Sequence, residues 1–366
     1  MKPVLAILGI GTAVPPHRIA QGEAAELAKE LCAQSRQETR ILPALYRRTR
    51  VERRGSVLLE PGEGAQVKQS FFMPAKAEDD RGPTTEERMI RYVEGAPALA
   101  IAASRRALTE SKLESSRIRE LITVSCTGFM APGLDRFLIQ EFGFSKTLGR
   151  THVGFMGCHG AINGLRVASA FAAASSTAGG ILLCSTELCS LHFYYGGDPE
   201  KMVANALFSD GAAALVGVPS AMAPQDAWRV AATGSCLFPD SSEAMTWAIG
   251  NHGFEMTLSA AVPGLISDQL RPWLEDWLGQ YHLGLRDIRS WAVHPGGPRI
   301  LDAVTRCLDL PDEAPRVSRE ILAEYGNMSS ATLLFIVERL RARNSPRPCV
   351  AVGFGPGLVA EAALFL

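Results

Sequence analysis

The sequence predicts an α/β fold assembled from two duplicated halves, residues 1–219 and 220–366. Two observations carry this reading. Short apolar segments of strand character alternate with longer stretches of helical period, the pattern of βα units. Three landmarks also recur at one spacing. Leu121-Ile-Thr-Val-Ser-Cys-Thr-Gly128 lies over Ser290-Trp-Ala-Val-His-Pro-Gly-Gly297, and Ile181-Leu-Leu-Cys-Ser-Thr-Glu187 over Val350-Ala-Val-Gly-Phe-Gly-Pro356. Gly157-Cys158 lies over Gly326-Asn327, and each pair is 169 positions apart (290 − 121, 350 − 181, 327 − 158). One matched pair of apolar strings means little, but three in a single ungapped register indicate duplication. Two halves related by a pseudo-two-fold bring equivalent helix starts to one centre, so Cys158 and Asn327 are expected to be neighbours.

Along the chain, Val4 to Val14 contains Gly9-Ile-Gly11 and runs into Pro15-Pro16, which reads as a strand entering a turn and not as a signal peptide. It lacks the third glycine of a dinucleotide fingerprint. Residues 55–95 are loose: Pro61-Gly62-Glu63-Gly64 and Asp79-Asp80-Arg81-Gly82-Pro83 bracket a short apolar piece, Phe71 to Met73. That stretch is either a cover over a site or a surface excursion. Thr84-Thr85-Glu86-Glu87 is a capping box that opens a helix running through Leu108. Strands at Leu121 and Ile181 flank a third at Thr151, whose glycine turn leads into a helix of small residues. The second half repeats this order, with largely parallel pairing expected throughout. Trp273 and Trp277, four apart, mark a packed helix face.

Composition narrows the function classes. Of 366 residues 47% are apolar and 20% charged, enough for a large core and too apolar for disorder. The formal net charge of -1 leaves no excess cation for phosphates, so no nucleic-acid partner is expected. No apolar run approaches the ~20 residues of a membrane span, and the richest, Ala168 to Ala174, is broken by Ser175-Ser176. Eight cysteines without C-x-x-C pairs point to a reducing cytoplasm. Cys184 and Cys189 with His192 lack a fourth ligand, so no metal is expected.

Three residues carry chemistry. Cys158 sits at a strand–turn–helix junction between Gly157 and Gly160. The positive end of the following helix is expected to favour its thiolate, whereas the ordinary fate of a cytosolic cysteine is burial. His294 ends a strand in Ala-Val-His-Pro-Gly-Gly, a rigid turn suited to a functional imidazole or to a structural one. Asn327 is either a helix cap or a hydrogen-bond donor to substrate. Together they form a nucleophile facing two groups able to stabilise an oxyanion.

At Gly157-Cys158, Val293-His294-Pro-Gly-Gly-Pro, Gly326-Asn327-Met-Ser-Ser-Ala and Gly353-Phe-Gly-Pro-Gly357 the sequence resembles the type III polyketide synthases, the chalcone-synthase-like branch of the thiolase fold. Ala206 to Ala214, Val262-Pro-Gly-Leu-Ile266 and Pro83 to Met89, with Tyr92 and Ala96, extend the match over nearly the whole chain. The resemblance implies a five-layered αβαβα homodimer using acyl-CoA and malonyl-CoA, with no metal or organic cofactor. It implies that Cys158 accepts the starter acyl group, that His294 and Asn327 hold the malonyl thioester carbonyl, and that His294 keeps Cys158 ionised. Phe208 resembles the gatekeeping aromatic between coenzyme A tunnel and elongation cavity, and Pro132-Gly133 a turn near the dimer interface. The loop at Gly353, Gly355 and Pro356 would line the cavity wall.

Departures from the plant members concern the pocket. Among the tunnel-mouth cations Arg48 matches, with Arg47, Arg50, Arg53 and Arg54 nearby. Cys126, Cys189 and His192 replace cavity threonines, and Met256 replaces a second gatekeeping phenylalanine. These changes remove the implication of a phenylpropanoid starter, and a fatty-acyl starter giving an alkylpyrone or alkylresorcinol is the expectation. A ketoacyl-acyl-carrier-protein synthase III, which condenses once, is the nearest alternative. A papain-like cysteine hydrolase shares the chain order Cys, His, Asn but needs a signature absent here. A non-catalytic binding protein is a third reading.

Overall fold

Nine strands form one mixed sheet in the computed structural model, which describes residues 4–32, 36–62, 64, 66–174 and 179–366. The first half contributes β1 (Leu5–Ala13), β2 (Ile118–Ser125), β3 (Gly149–Gly154), β4 (Gly180–Leu188) and β5 (Asp210–Pro219). The second contributes β6 (Arg229–Leu237), β7 (Ser290–Val293), β8 (Cys349–Gly355) and β9 (Val359–Phe365). Their spatial order is β7-β8-β9-β6-β1-β5-β4-β2-β3, and the halves meet where Leu5 pairs with Val230 and Ala6 with Arg229. The expected parallel pairing is confined to β2 with β3 and β4, and to β7 with β8. The remaining pairs are antiparallel. Between β8 and β9 only Pro356–Leu358 intervene, far too little chain for the crossover that a parallel neighbour requires.

Alternation along the strands sorts the layers. In β5, Ala213 and Leu215 pack with Ile162 and Leu165 of α2 (Gly160–Ala174) and Leu333 and Leu334 of α4 (Ala331–Ala342). Ala212, Ala214 and Val216 turn the other way, onto Ala100, Ala103 and Ala107 of α1 (Thr85–Ser111). In β9, Ala363 and Phe365 join the same central cluster, while Ala360, Ala362 and Leu364 meet Ile266, Leu270 and Leu274 of α3 (Val262–Gly279). The outcome is helix, first-half strands, helix pair, second-half strands, helix: the five-layered αβαβα arrangement. Leu165, Leu333 and Leu334 are fully buried between the two sets of strands, a stabilisation of ~1.5–3 kcal/mol for each side chain of this size. Because α2 and α4 are the equivalent central helices, their N-terminal approaches converge, which carries Cys158 toward Asn327.

Local signals behave as their chemistry dictates. The capping box forms: Glu87 N–H donates to Thr84 Oγ1 (3.3 Å) and Thr84 N–H to Glu87 Oε2 (2.7 Å). Within 55–95, Glu60–Pro61 pairs with Val67–Lys68, and Phe72 is buried beside Phe193 and Tyr195. Trp273 and Trp277 stack on one face of α3, ring centroids 6.2 Å apart. Gly9 and Gly11 lie inside β1, in the expected strand, and are small because α1 presses on it: a Cβ on Gly9 would be 2.7 Å from the Ser111 nitrogen. Glu63 and the Ser175-Ser176 break lie outside the described residues. Among the described residues no helix is long and apolar enough to cross a membrane.

Candidate active site

Cys158 occupies a turn, Gly157–His159, directly before α2; His294 follows the end of β7; Asn327 lies between the helix Arg316–Tyr325 and α4. All three are buried and line one small cavity of about 20 Å³, together with Leu207, Phe208, Met256 and Phe354. Glycine is required at 157, where φ is 66° and a Cβ would run into the Pro356 ring.

Asn327 is positioned by its backbone. Its N–H donates to Leu207 O (2.9 Å) and its carbonyl accepts from Ser209 N–H (2.9 Å), an isolated parallel bridge with Phe208. Its Oδ1 accepts from Ser329 N–H (2.9 Å), which leaves the amide NH2 as donor, and the Asn327 side chain hydrogen-bonds the Cys158 sulfur. Asn327 is therefore not the cap of α4; Ser330 occupies that position. Ser329, held at φ 47°, also bonds to Cys158 and lies 3.2 Å from Cys126 Sγ.

Electrostatics correct one expectation. Burial pushes the Cys158 thiol up to about 11, with the Glu187 carboxylate adding to the rise against the Ser329 and Asn327 hydrogen bonds. Burial thus favours the thiol of Cys158 in the closed pocket, where the sequence predicts a thiolate. Burial first, and then the neighbouring His159, whose protonation would disfavour a second positive charge, hold His294 down at about 3, so it is a neutral imidazole. Among the described residues, neither His294 ring nitrogen, both of them buried, has a hydrogen-bond partner. An unmet buried polar atom costs ~1–3 kcal/mol, so this ring is poised for a ligand.

Phe208 and Met256 stand at a junction, since both line the inner cavity, a second recess shared by Cys126, Cys158, Cys189 and Pro356, and an outer cavity of about 350 Å³. Cys189 and His192 also face the outer cavity. His192 is a wall, not a free donor: its Nε2 donates to Thr127 O (2.7 Å), its Nδ1 accepts from Phe254 N–H (2.9 Å), and it stacks on Phe254 at 4.3 Å. Arg48 is exposed at the end of the helix Arg36–Arg48 and lines none of these spaces. Arg54, Arg81 and Lys201 line the outer cavity instead, and Arg54 donates to Phe208 O (3.1 Å). Gly353 and Gly355 are buried strand positions in close contact with His159, outside the cavity linings.

Sequence reasoning missed Glu187, Ser329 and Trp247. Glu187 is fully buried and accepts from Cys126 N–H (3.0 Å), from Thr127 Oγ1 (2.6 Å) and from Ser330. A carboxylate in an otherwise apolar strand was the available signal. Trp247 donates to Cys126 O (2.7 Å), a contact no local pattern announces.

Family models for chalcone and stilbene synthases match the chain almost end to end, the N-terminal domain over residues 2–220 and the C-terminal domain over 230–366. The chain belongs to the chalcone and stilbene synthase family. It is a type III polyketide synthase, an acyltransferase-type enzyme performing decarboxylative Claisen condensations. The alpha-pyrone synthesis polyketide synthase-like Pks18 of Mycobacterium tuberculosis is 31% identical over 99% of this chain and 91% of its own. The 1,3,6,8-tetrahydroxynaphthalene synthase of Streptomyces peucetius subsp. caesius is 33% identical over 98% of this chain and 92% of its own. Among solved structures, PKS-I from the brown alga Ectocarpus siliculosus superposes with TM-score 0.91 at 30% identity, covering 100% of this chain and 99% of that one. The 1,3,6,8-tetrahydroxynaphthalene synthase of Streptomyces coelicolor superposes at 0.84, also 30% identical, covering 98% of each chain. In this type III polyketide synthase the described residues contain no group of three His, Cys, Asp or Glu arranged to hold a metal.

Proposed function

We propose that Cys158 takes an acyl starter from acyl-CoA, that malonyl-CoA extends it more than once, and that a cyclised product of the alkylpyrone or alkylresorcinol type is released. The observation that carries this reading is the single cavity into which Cys158, His294 with two unpartnered nitrogens, and Asn327 all open. In loading, the Cys158 sulfur attacks the thioester carbon while its proton passes to His294; coenzyme A departs as the thiol, taking that proton back. In extension, loss of CO2 from the malonyl thioester places negative charge on the thioester oxygen. The Asn327 NH2 and a His294 N–H donate to it, and each such donor is worth ~2.7–4 kcal/mol in comparable oxyanion sites. The enolate carbon then attacks the acyl carbon on Cys158, the C–S bond breaks, and the lengthened chain remains on coenzyme A until it returns to the sulfur.

Two features support a fatty-acyl starter. One relative is named for alpha-pyrone synthesis, and the outer cavity is walled by Ala24, Leu27, Ala28, Leu31 and Phe72. Arg48, with the exposed Arg47, Arg50 and Arg53, is our assignment for the coenzyme A phosphates. Thioesters do the acyl carriage, so neither metal nor organic cofactor enters the scheme. A cytoplasmic homodimer is proposed as well: Phe129 (64% exposed) and Met130 line a groove with Gly133, and Phe155 and Met156 are exposed apolar side chains two residues or fewer from Gly157. Mass spectrometry of products from a panel of acyl-CoA starters with malonyl-CoA tests the scheme. Products extended two or more times are expected; single β-ketoacyl products would assign the chain the one-step chemistry of a ketoacyl synthase.

A further inference from the structure

Beside the Cys158–His294 pair runs a second line of polar side chains that the scheme above leaves unused. His159, next to the nucleophile in the chain, is 3% exposed, and its Nδ1 lies 2.8 Å from Asn163 Oδ1. Asn163 Nδ2 donates to Glu361 Oε1 (3.0 Å), and Glu361, also 3% exposed, forms an ion pair with Arg166. Arg166 Nε reaches on to Thr233 Oγ1 (3.3 Å). The direction of this chain is fixed by chemistry. A carboxylate only accepts, so Asn163 turns its NH2 to Glu361 and its carbonyl to His159. The His159 Nδ1 must then carry a hydrogen, and the neutral ring is bare at Nε2.

The other edge of the ring faces Gly355, where a Cβ would be 2.5 Å from His159 Nε2 and 2.8 Å from Met156 O. A Cβ on Gly353 would lie 3.4 Å from the His159 Cβ and 3.5 Å from the His294 Cβ, so the two histidines meet over one glycine. In this buried setting two imidazolium ions would repel, so a proton on one ring disfavours a proton on the other. The charged and titratable groups facing His159 are Glu361 on β9, Arg166 on α2, His294 after β7 and Cys158 itself. Glu361 draws a proton toward His159 and Arg166 opposes it.

We propose that His159, kept neutral and Nδ1-protonated by the Asn163–Glu361–Arg166 chain, is a positioning residue that reserves proton uptake in the site for His294. The proposal rests on the reading of Cys158 as nucleophile and His294 as its proton acceptor. Its consequence is a charge balance: losing Arg166 leaves Glu361 unopposed, protonates His159 and blocks His294.

The test is the pH dependence of Cys158 alkylation by iodoacetamide and of kcat/KM for chain extension. Arg166→Gln is expected to move the acid limb of both upward by about one pH unit, a ~tenfold loss near that limb. Glu361→Gln, which removes the carboxylate charge, is expected to leave the limb in place or lower it, and Arg166→Gln combined with His159→Gln to return it to the parent position. A general packing defect would not raise the limb in Arg166→Gln while sparing or lowering it in Glu361→Gln, nor be rescued by the second change. An unmoved limb in Arg166→Gln, or a shift surviving in the double variant, overturns the relay. Chain extension surviving in Cys158→Ala would instead overturn the underlying reading of the site, whatever the limb does.

Discussion

Phe208 and Asn327 pair as an isolated parallel bridge, Asn327 N–H reaching Leu207 O and Ser209 N–H reaching Asn327 O, each at 2.9 Å. The residue at the mouth of the inner cavity is thereby tied, backbone to backbone, to the amide that bonds the Cys158 sulfur. Since neither hydrogen bond uses the phenyl ring, Phe208→Ala should enlarge the passage without unseating Asn327. The expected outcome is an altered KM for CoA thioesters and an altered starter preference, with malonyl-CoA decarboxylation within about threefold of the parent. A loss of decarboxylation comparable to that of Asn327→Ala would show that the ring itself holds the amide.

Removing the Asn327 donor should lower malonyl-CoA decarboxylation by ~10²–10³, the cost of one oxyanion donor. Release of CO2, followed independently of product formation, measures this. Cys158→Ala should abolish extension while decarboxylation persists, because the donors and the nucleophile act on different atoms. Full-rate decarboxylation in a His294→Ala, Asn327→Ala double variant would contradict these roles.

Acid sensitivity follows from two buried imidazoles. Burial holds both His192 and His294 at about 3, against an ordinary value of 6.5. Between those values the unfolded chain binds protons that the native chain does not, so stability falls as pH drops from about 6.5 toward 3. Asp210, raised by burial to about 6 from 3.8, acts oppositely between those values, binding a proton in the native state first. His152 and His159, also lowered by burial, act with the two imidazoles, and Glu120, Glu187 and Glu338, raised by burial, act with Asp210. The clean readout is therefore a difference between variants: relative to its own value at pH 7, His192→Phe should lose less melting temperature by pH 4 than the parent does. An equal or larger loss in His192→Phe would contradict the neutral assignment of His192.

Gly157→Ala places a side chain at φ 66° and against Pro356. A left-handed residue of this kind costs ~1–2 kcal/mol before the collision is counted. Thermal unfolding should show a lowered transition together with slower Cys158 alkylation, while Gly264→Ala, inside α3 where a Cβ meets nothing within 4 Å, should neither lower the transition nor slow alkylation.

How much of this was legible in the sequence depends on the range of the physics. The repeat at one offset pointed to the approach of Cys158 to Asn327, which line one cavity, because the order of elements decides which helix starts converge. Strand direction was not legible: the antiparallel return of β9 depends on a three-residue turn that reads as loop chemistry. The reason for glycine at 9 and 11 was not legible, because the helix that forces these strand positions to be small, α1, lies some 90 residues downstream. The trio of reactive residues was found through local turn chemistry, but the charge state of Cys158 was not, since desolvation is set by all the layers around it. Arg48 fell outside the cavities and Arg81 and Lys201 inside for the same reason: which cation faces a void is decided by packing between distant segments.

The most direct measurement is the mass of the intact protein, and of its peptides, after a brief exposure to a fatty-acyl-CoA without malonyl-CoA. One acyl group should be found per chain, attached to the peptide containing Cys158, and absent in Cys158→Ala. An acyl group on Cys126 or Cys189, which share the recess beside Cys158, or product formation with no acylated Cys158 at any time, would contradict the account.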